Sequence, residues 1–250
     1  PLTRWREDSL PGLAVRLRWA FLVSLATALM LPFTLGTWKP LVVLGLFVAL
    51  WIVVTSLINL LDRLKQTGLP LLTRIRRVPL GFYGMTLAHC GVAVFVIGVT
   101  LVKGYETERT VRMKFGDTVT IAGYVFRFDG LKEREGPNYR ALRGDFQVSR
   151  NGKPYTVLHP EKRAYHASRM PMTEAAIDAG LTRDLYLSLG EPISEDTWVV
   201  QVYVKPFVDW IWAGFILMAL GGFLAVADRR YRLLAHRASS SVPAGAALKA

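Results

Sequence analysis

The chain has 250 residues, which suits one or two domains, and its composition narrows the possible classes. Hydrophobic residues make up 52% of it and charged residues only 20%, so a disordered protein is excluded. The formal net charge of +12 is typical of either a nucleic-acid-binding protein or a membrane protein with basic loops. Cys90 is the one cysteine, which excludes an internal disulfide and a cysteine-rich zinc cluster.

Four apolar stretches are long enough to cross a bilayer as helices, which takes roughly 20 residues each. They are residues 19–37, 40–61, 78–102 and 207–227. The first resembles a signal peptide, but it is too long, no small-residue cleavage site follows it, and a second apolar stretch begins three residues later. We therefore predict four transmembrane helices.

Basic residues flank these stretches on alternate sides, and short loops rich in Lys and Arg stay in the cytoplasm. The pattern predicts that residues 1–18 and the partly disordered tail 228–250 are cytoplasmic, and that residues 103–206 lie on the outer face. That outer segment has 16 basic and 14 acidic residues, whereas the rest of the chain has 15 and 5. The basic excess therefore belongs to the membrane loops, and we expect no nucleic-acid partner.

Residues 103–206 have the residue alternation of a compact antiparallel β domain. Within them, Asn151-Gly152 is a strong hairpin signal, and a short helix is predicted over residues 173–179, with Gly180 after its end. The predicted fold is an α+β membrane protein in which an antiparallel β-rich domain is inserted between the third and fourth of four transmembrane helices. The predicted strands cover residues 108–115, 119–121, 124–128, 145–150, 155–158 and 197–205.

His89 is the twelfth residue of the third apolar stretch and therefore lies near the bilayer centre. An ionisable group at that depth is costly and indicates a function. Three interpretations are open: an axial ligand of a haem iron, a proton relay, or a hydrogen bond across a helix interface. The adjacent Cys90 fits inert packing, and the other histidines, His159, His166 and His236, fit solvated surface positions.

Small residues at helical spacing form a separate face of the third stretch, made of Gly84, Ala88 and Gly91. Such a face allows close approach of a second helix within a membrane. Gly221-Gly222 in the fourth stretch indicates helix packing in the same way.

Several motifs, in order along nearly all of residues 1–232, resemble the CcmF haem lyase family of bacterial cytochrome c maturation. The most specific is the run VPLGFYGMTLAHCGVAV that contains His89. The others are residues 1–6, 160–165, 173–177, 184–190, 206–214 and 228–232.

The resemblance implies a function. Members of this family accept haem from a periplasmic haem chaperone and attach it to the two thiols of a CxxCH motif in apocytochrome c. They also hold a haem b within the membrane, and His89 matches the family's transmembrane ligand of its iron. The resemblance implies the bacterial inner membrane, a periplasmic β domain, cytoplasmic termini, and contacts with lipid and other cytochrome c maturation membrane proteins.

The family's tryptophan-rich motif, its flanking haem-binding histidines and its second transmembrane haem ligand belong to an N-terminal portion that has no counterpart here. We expect this chain to be the C-terminal part of a longer protein, a processed product or a split subunit that needs that portion for catalysis. The alternative function is a non-catalytic scaffold whose β domain docks apocytochrome c or other maturation subunits. A proton-coupled transporter ranks last, because Thr27, Thr55, Ser56 and Asn59 are the main other polar groups within the spans and no acid lies at depth.

Overall fold

The computed structural model describes residues 10–65, 70–167 and 170–228, so the N-terminal basic segment before Leu10 and the tail after Asp228 lie outside the described residues. The chain divides into two compact units. One holds the helices up to Ile97 and from Trp210 onward, and the other is Gly98–Asp209.

Five helices account for the apolar part of the described chain, and four of them are long and apolar enough to cross a membrane. The prediction of four such helices is confirmed, although the apolar part of the first is Leu17–Leu35 and the third and fourth are shifted by one to three residues. The short helix between the second and third long helices was not predicted. The helices are α1 (Leu10–Leu35), α2 (Pro40–Lys65), α3 (Leu71–Arg77), α4 (Leu80–Tyr105) and α5 (Val208–Ala227).

Helices α1 and α2 pack through a row of small residues. Ala20, Ser24 and Ala28 recur every four residues on α1 and are almost completely buried. That spacing places them on one face of the helix. On the flank of this contact, the Phe21 ring lies 5.4 Å from the ring of Phe47 and 5.9 Å from that of Trp51, both on α2.

The short helix α3 joins the end of α2 to the start of α4. From α3, Arg74 Nη1 donates a hydrogen bond to the Leu64 carbonyl oxygen of α2 at 3.2 Å. From α4, the Tyr83 hydroxyl donates to the Ile75 carbonyl oxygen of α3 at 2.9 Å. These two hydrogen bonds tie α3 to the helix before it and to the helix after it.

In the described residues of the second unit, ten antiparallel strands form two sheets. One sheet has the order β1-β10-β9-β8, and the other has the order β2-β3-β4-β6-β7, with β5 also paired to β4. The strands are β1 (Thr107–Lys114), β2 (Thr118–Ile121), β3 (Tyr124–Glu135), β4 (Tyr139–Arg150), β5 (Lys153–Leu158), β6 (Glu161–Tyr165), β7 (Pro171–Glu174), β8 (Ala176–Asp178), β9 (Arg183–Pro192) and β10 (Thr197–Pro206).

Alternating apolar side chains from the two sheets meet in one core. Phe128 of β3 and Phe146 of β4 are fully buried and stack with their ring centroids 4.4 Å apart. From the other sheet, β9 and β10 contribute every second residue, because successive side chains of a strand point to opposite faces. These contributions are Leu185, Leu187, Leu189, Val200, Val202 and Val204.

The hairpin predicted at Asn151-Gly152 is confirmed. Both residues have positive φ, 52° and 73°, and join β4 to β5. Two consecutive positive φ angles match the right-handed twist of the flanking strands.

The helix predicted over residues 173–179 is wrong. This segment forms β7 and β8, and Ala176 pairs with Leu187 of the buried strand β9. The Thr173 hydroxyl donates a hydrogen bond to the Leu189 carbonyl oxygen of β9 at 3.3 Å. Pairing with strands already in the sandwich outweighs the local helix propensity of the segment.

Candidate functional site

The imidazole of His89 lies half-buried near the middle of α4. Its Nδ1 is 2.7 Å from the carbonyl oxygen of Met85, one turn earlier. A carbonyl cannot donate, so Nδ1 carries the proton and the unprotonated lone pair is on Nε2. A histidine held by one nitrogen in this way is oriented to bind a metal through the other.

Close packing of α4 on α5 fixes the helix that carries this imidazole. A Cβ atom on Gly84 would lie 2.5 Å from the Gly221 carbonyl oxygen, and one on Gly221 would lie 2.5 Å from the amide nitrogen of Ala88. A Cβ on Gly91 would lie 2.6 Å from the amide nitrogen of Met218. The predicted small-residue face is therefore confirmed, because only glycine allows these backbones to approach so closely.

His89 projects away from that contact. It precedes Gly91 by two residues, which is a rotation of about 200° around a helix with 3.6 residues per turn. The imidazole is therefore left for a partner other than α5.

His89 is better suited to be a single axial ligand of a haem iron than a member of a metal centre built from protein side chains alone. Among residues 10–65, 70–167 and 170–228, no group of three or more His, Cys, Asp or Glu side chains could hold a metal ion. Cys90 is a half-buried free thiol in the described chain. A haem needs only axial ligands from protein, because the porphyrin supplies the remaining ligands of the iron, so one oriented imidazole fits this group.

The histidines of the β domain are not gathered into a site. His159 follows β5, and its Nδ1 lies 2.8 Å from Asp145 Oδ1. His166 follows β6 and is exposed, in line with the prediction of surface positions. His236 lies outside the described residues.

The burial of the Glu161 carboxylate on β6 was not predicted, because the run Glu161-Lys162-Arg163 has the composition of a solvated charge cluster. Glu161 is only 5% exposed and accepts hydrogen bonds from Arg163 Nε at 2.7 Å and Arg134 Nη1 at 3.1 Å. Burial raises the pKa of this carboxyl, but the two guanidinium groups more than offset burial and hold the pKa below its usual range. The cluster joins β3 to β6 and is structural.

The observations define an α+β protein with four apolar helices, a β-sandwich inserted before the last of them, and one imidazole in an apolar helix whose Nδ1 is held by a backbone carbonyl. Residues 104–206 match the family model described as the CcmF C-terminal beta-sandwich. The chain matches the C-terminal portion of the CcmF family of cytochrome c-type biogenesis proteins.

Similar proteins include the cytochrome c-type biogenesis protein CcmF of Pseudomonas aeruginosa, 44% identical over 232 residues, which are 93% of this chain and 35% of that protein. CcmF of Escherichia coli K12 is 43% identical over 233 residues, with the same shares covered. The chain thus spans about a third of the length of these curated relatives.

A solved structure of the cytochrome c haem lyase CcmF has the same fold. The TM-score is 0.70 at 19% sequence identity, and the match covers 91% of this chain and 36% of the other.

Proposed function

We propose that the chain is the C-terminal part of a membrane haem lyase that takes haem from a periplasmic haem chaperone and attaches it to the CxxCH motif of apocytochrome c. His89 contributes one axial ligand to a transmembrane haem b. The observation that carries this proposal is the hydrogen bond from Nδ1 to the Met85 carbonyl oxygen, which leaves Nε2 as the unprotonated nitrogen.

The chain's own residues hold and orient the imidazole of His89. The Met85 carbonyl fixes the tautomer and the ring orientation, and the glycine contacts with α5 fix α4 itself. A bound haem would supply a redox-active iron at this position. Catalysis needs the second axial ligand and the substrate-haem site of the N-terminal portion, so this chain alone is not a complete lyase.

The charge distribution supports the proposed membrane arrangement. Basic residues before α1, around α3 and after α5 favour a cytoplasmic position for these segments, with the sandwich in the periplasm of a bacterial inner membrane. There the sandwich is accessible to apocytochrome c, to the haem chaperone and to other maturation proteins.

The test of the haem assignment is the visible spectrum of the complete lyase, with its N-terminal portion present. We expect His89→Ala to remove the b-type haem absorption, because Nε2 is its axial ligand. His166→Ala, which removes an exposed imidazole outside the spans, is the matched control and keeps the absorption. A His89→Ala protein with an unchanged haem b spectrum contradicts the assignment.

Docking by the β domain is a second candidate function, favoured by the division of the chain into two compact units with a separate core in the sandwich. A scaffold of this kind holds apocytochrome c or other subunits without performing chemistry. Replacing residues 104–205 by a short linker separates the two functions. Persistent haem b with lost apocytochrome binding favours docking, and retained binding counts against it.

A further inference from the structure

The chain enters and leaves the sandwich at the same end, and both connections to the membrane helices are short. Only Glu106 separates the end of α4 from the start of β1, and only Phe207 separates the end of β10 from the start of α5. Two Cα steps span at most about 7 Å, which is no more than the thickness of one layer of lipid headgroups. This end of the sandwich, called here the helix-proximal end, therefore lies within the headgroup layer.

Three further connections of the sandwich lie at the helix-proximal end. Arg183, the first residue of β9, is the register partner of Pro206, and its Nε donates a hydrogen bond to the Tyr124 hydroxyl at 3.0 Å. Tyr124 begins β3 and pairs with Arg150, the last residue of β4. The connections next to these residues are the turns Ala122-Gly123 and Asn151-Gly152 and the loop of residues 179–182.

The loop of residues 179–182 is held on both sides and presents an apolar side chain. The Gly180 amide donates to Oδ1 of the buried Asp184 at 3.1 Å, and the Phe207 amide donates to the Thr182 carbonyl oxygen at 3.2 Å. Between these two hydrogen bonds, the Leu181 side chain is 76% exposed. A single exposed leucine is ordinary on a surface that faces water. This one, however, lies in a loop bonded to the residue that leads into a membrane helix.

The neighbouring turn adds positive charge to the same end. Arg150 and Lys153 flank Asn151-Gly152 and are exposed, and the Arg150 guanidinium lies 4.9 Å from the centroid of the Tyr124 ring. The acids Glu106 and Asp178 at this end are each paired with a basic side chain. Basic side chains at a membrane surface attract anionic lipid headgroups, and an apolar side chain beside them favours the boundary with the lipid chains.

We propose that the helix-proximal end of the sandwich binds the surface of the bilayer that α4 and α5 cross. Leu181 inserts into the boundary between headgroups and lipid chains, and Arg150 and Lys153 contact the headgroup phosphates from the side of the water. The lipid contact holds the sandwich against the membrane in addition to its two covalent connections. This proposal rests on the membrane-spanning helices of the proposed function, but it needs neither the haem ligand nor the docking of apocytochrome c.

The first experiment measures whether position 181 is in lipid. The complete protein, with Cys90→Ala and no other cysteine, carries a nitroxide label on Leu181→Cys in nanodiscs of phosphatidylethanolamine and phosphatidylglycerol. Collisions of the label with oxygen, which is concentrated in lipid, are compared with collisions with a nickel chelate, which stays in water. Ile193→Cys is the matched control, because Ile193 is also exposed, follows β9, and lies roughly 33 Å from the start of that strand.

We expect a higher ratio of oxygen to nickel collisions at position 181 than at position 193. Equal ratios at the two positions overturn the proposal, because Leu181 then faces water. Protection of position 181 from both reagents also overturns it, because protein rather than lipid then covers the loop. A label on Phe223→Cys, exposed on α5, separates this failure from that of the membrane arrangement itself. Frequent nickel collisions at position 223 contradict the spanning helix and hence the proposed arrangement.

The second experiment tests the contact with headgroup phosphates that carry a net negative charge. We expect the ratio at position 181 to be higher in nanodiscs that contain phosphatidylglycerol than in nanodiscs of phosphatidylcholine alone, and we expect Arg150→Gln with Lys153→Gln to remove this difference. The matched control is Arg112→Gln with Lys114→Gln, which neutralises two exposed basic residues of β1 toward the opposite end and should keep the difference. The same ratio in both lipids, or loss of the difference in the control, overturns the role of Arg150 and Lys153.

Discussion

At the scale of single residues, the buried carboxylate of Glu161 makes a contribution to stability that depends on pH. Glu161 is buried in the sandwich with two arginine partners, so its charge is compensated. Its pKa is lowered, which means that the folded state binds the proton less readily than the unfolded chain does. Such a group stabilises the fold above its unfolded pKa, and this contribution is lost as the pH falls through the folded pKa.

Because the pKa of Glu161 is lowered, the effect of replacing Glu161 should depend on pH. At pH 7, we expect Glu161→Gln to lower the free energy of unfolding by about 1–3 kcal/mol, because the two guanidinium groups lose their charged partner. The deficit should narrow as the pH falls below about 4.5, because the Glu161 carboxyl of the unfolded chain then binds a proton, and it should disappear once the pH passes the lowered pKa of the folded state. Thermal unfolding of the detergent-solubilised chain at several pH values measures it.

Glu195→Gln, at an exposed acid, is the control for Glu161 and should follow the unaltered protein at every pH. A deficit in Glu161→Gln that stays constant from neutral to acid pH would rule out the charge as its source.

The role of a single residue could be predicted from the sequence where it depends on residues nearby in the chain. His89 could be singled out from sequence because one histidine in a long apolar run is conspicuous. Its Nδ1 bond to the Met85 carbonyl oxygen could not, because this bond depends on the side-chain rotamer rather than on residue order. Glu161 was missed because its partner Arg134 is 27 residues away and is brought near only by the pairing of strands.

At the scale of secondary-structure elements, α5 offers two adjacent glycines with different surroundings. A Cβ on Gly221 would lie 2.5 Å from the amide nitrogen of Ala88, whereas one on Gly222 would have nothing within 4 Å. Alanine substitutions at these two glycines therefore separate the effect of helix contact on stability from the effect of helix propensity.

We expect Gly221→Ala to lower the free energy of unfolding by about 1–3 kcal/mol, because the methyl group forces α4 and α5 apart. Gly222→Ala is the matched control. It should be neutral or stabilising by up to about 1 kcal/mol, since alanine favours the helix over glycine. Thermal unfolding in detergent compares them, and equal melting temperatures for the two variants would refute close packing at Gly221.

Strand prediction succeeded at several segments with apolar alternation or a turn motif, but it missed β9, in which Leu185, Leu187 and Leu189 alternate, and it missed β6, β7 and β8. The pattern around Met113 and the Asn151-Gly152 turn indicated β1 and the β4–β5 hairpin correctly. Strand β6 has no apolar alternation, and β7 and β8 lie in a segment with local helix propensity. Those strands form because neighbouring strands offer unpaired backbone groups, which is a property of the assembled sandwich.

At the scale of the whole molecule, the net charge of +12 is explained by location, since only 2 of the 12 units lie within residues 103–206. The topology inferred from it can be measured with a membrane-impermeant maleimide. In a Cys90→Ala background we expect Lys153→Cys, exposed on β5, to react in spheroplasts, because the proposed topology puts its domain in the periplasm.

Arg76→Cys, exposed on the basic helix α3, should react only after the membrane is permeabilised. Labelling of both positions before permeabilisation, or of Arg76→Cys alone, would be incompatible with the proposed orientation.

The pairing of β1 with β10 brings the two ends of the sandwich next to each other. Thr107 and Val204 are register partners, so the points where the sandwich is entered and left are about 5 Å apart. A segment whose two ends are adjacent can be inserted into a loop or removed from it without separating what the loop connects. Without the sandwich, only a short turn would be needed between Tyr105 of α4 and Val208 of α5. A domain with adjacent ends can be exchanged as a unit, so the surface of the sandwich can vary in sequence while α4 and α5 keep their contact.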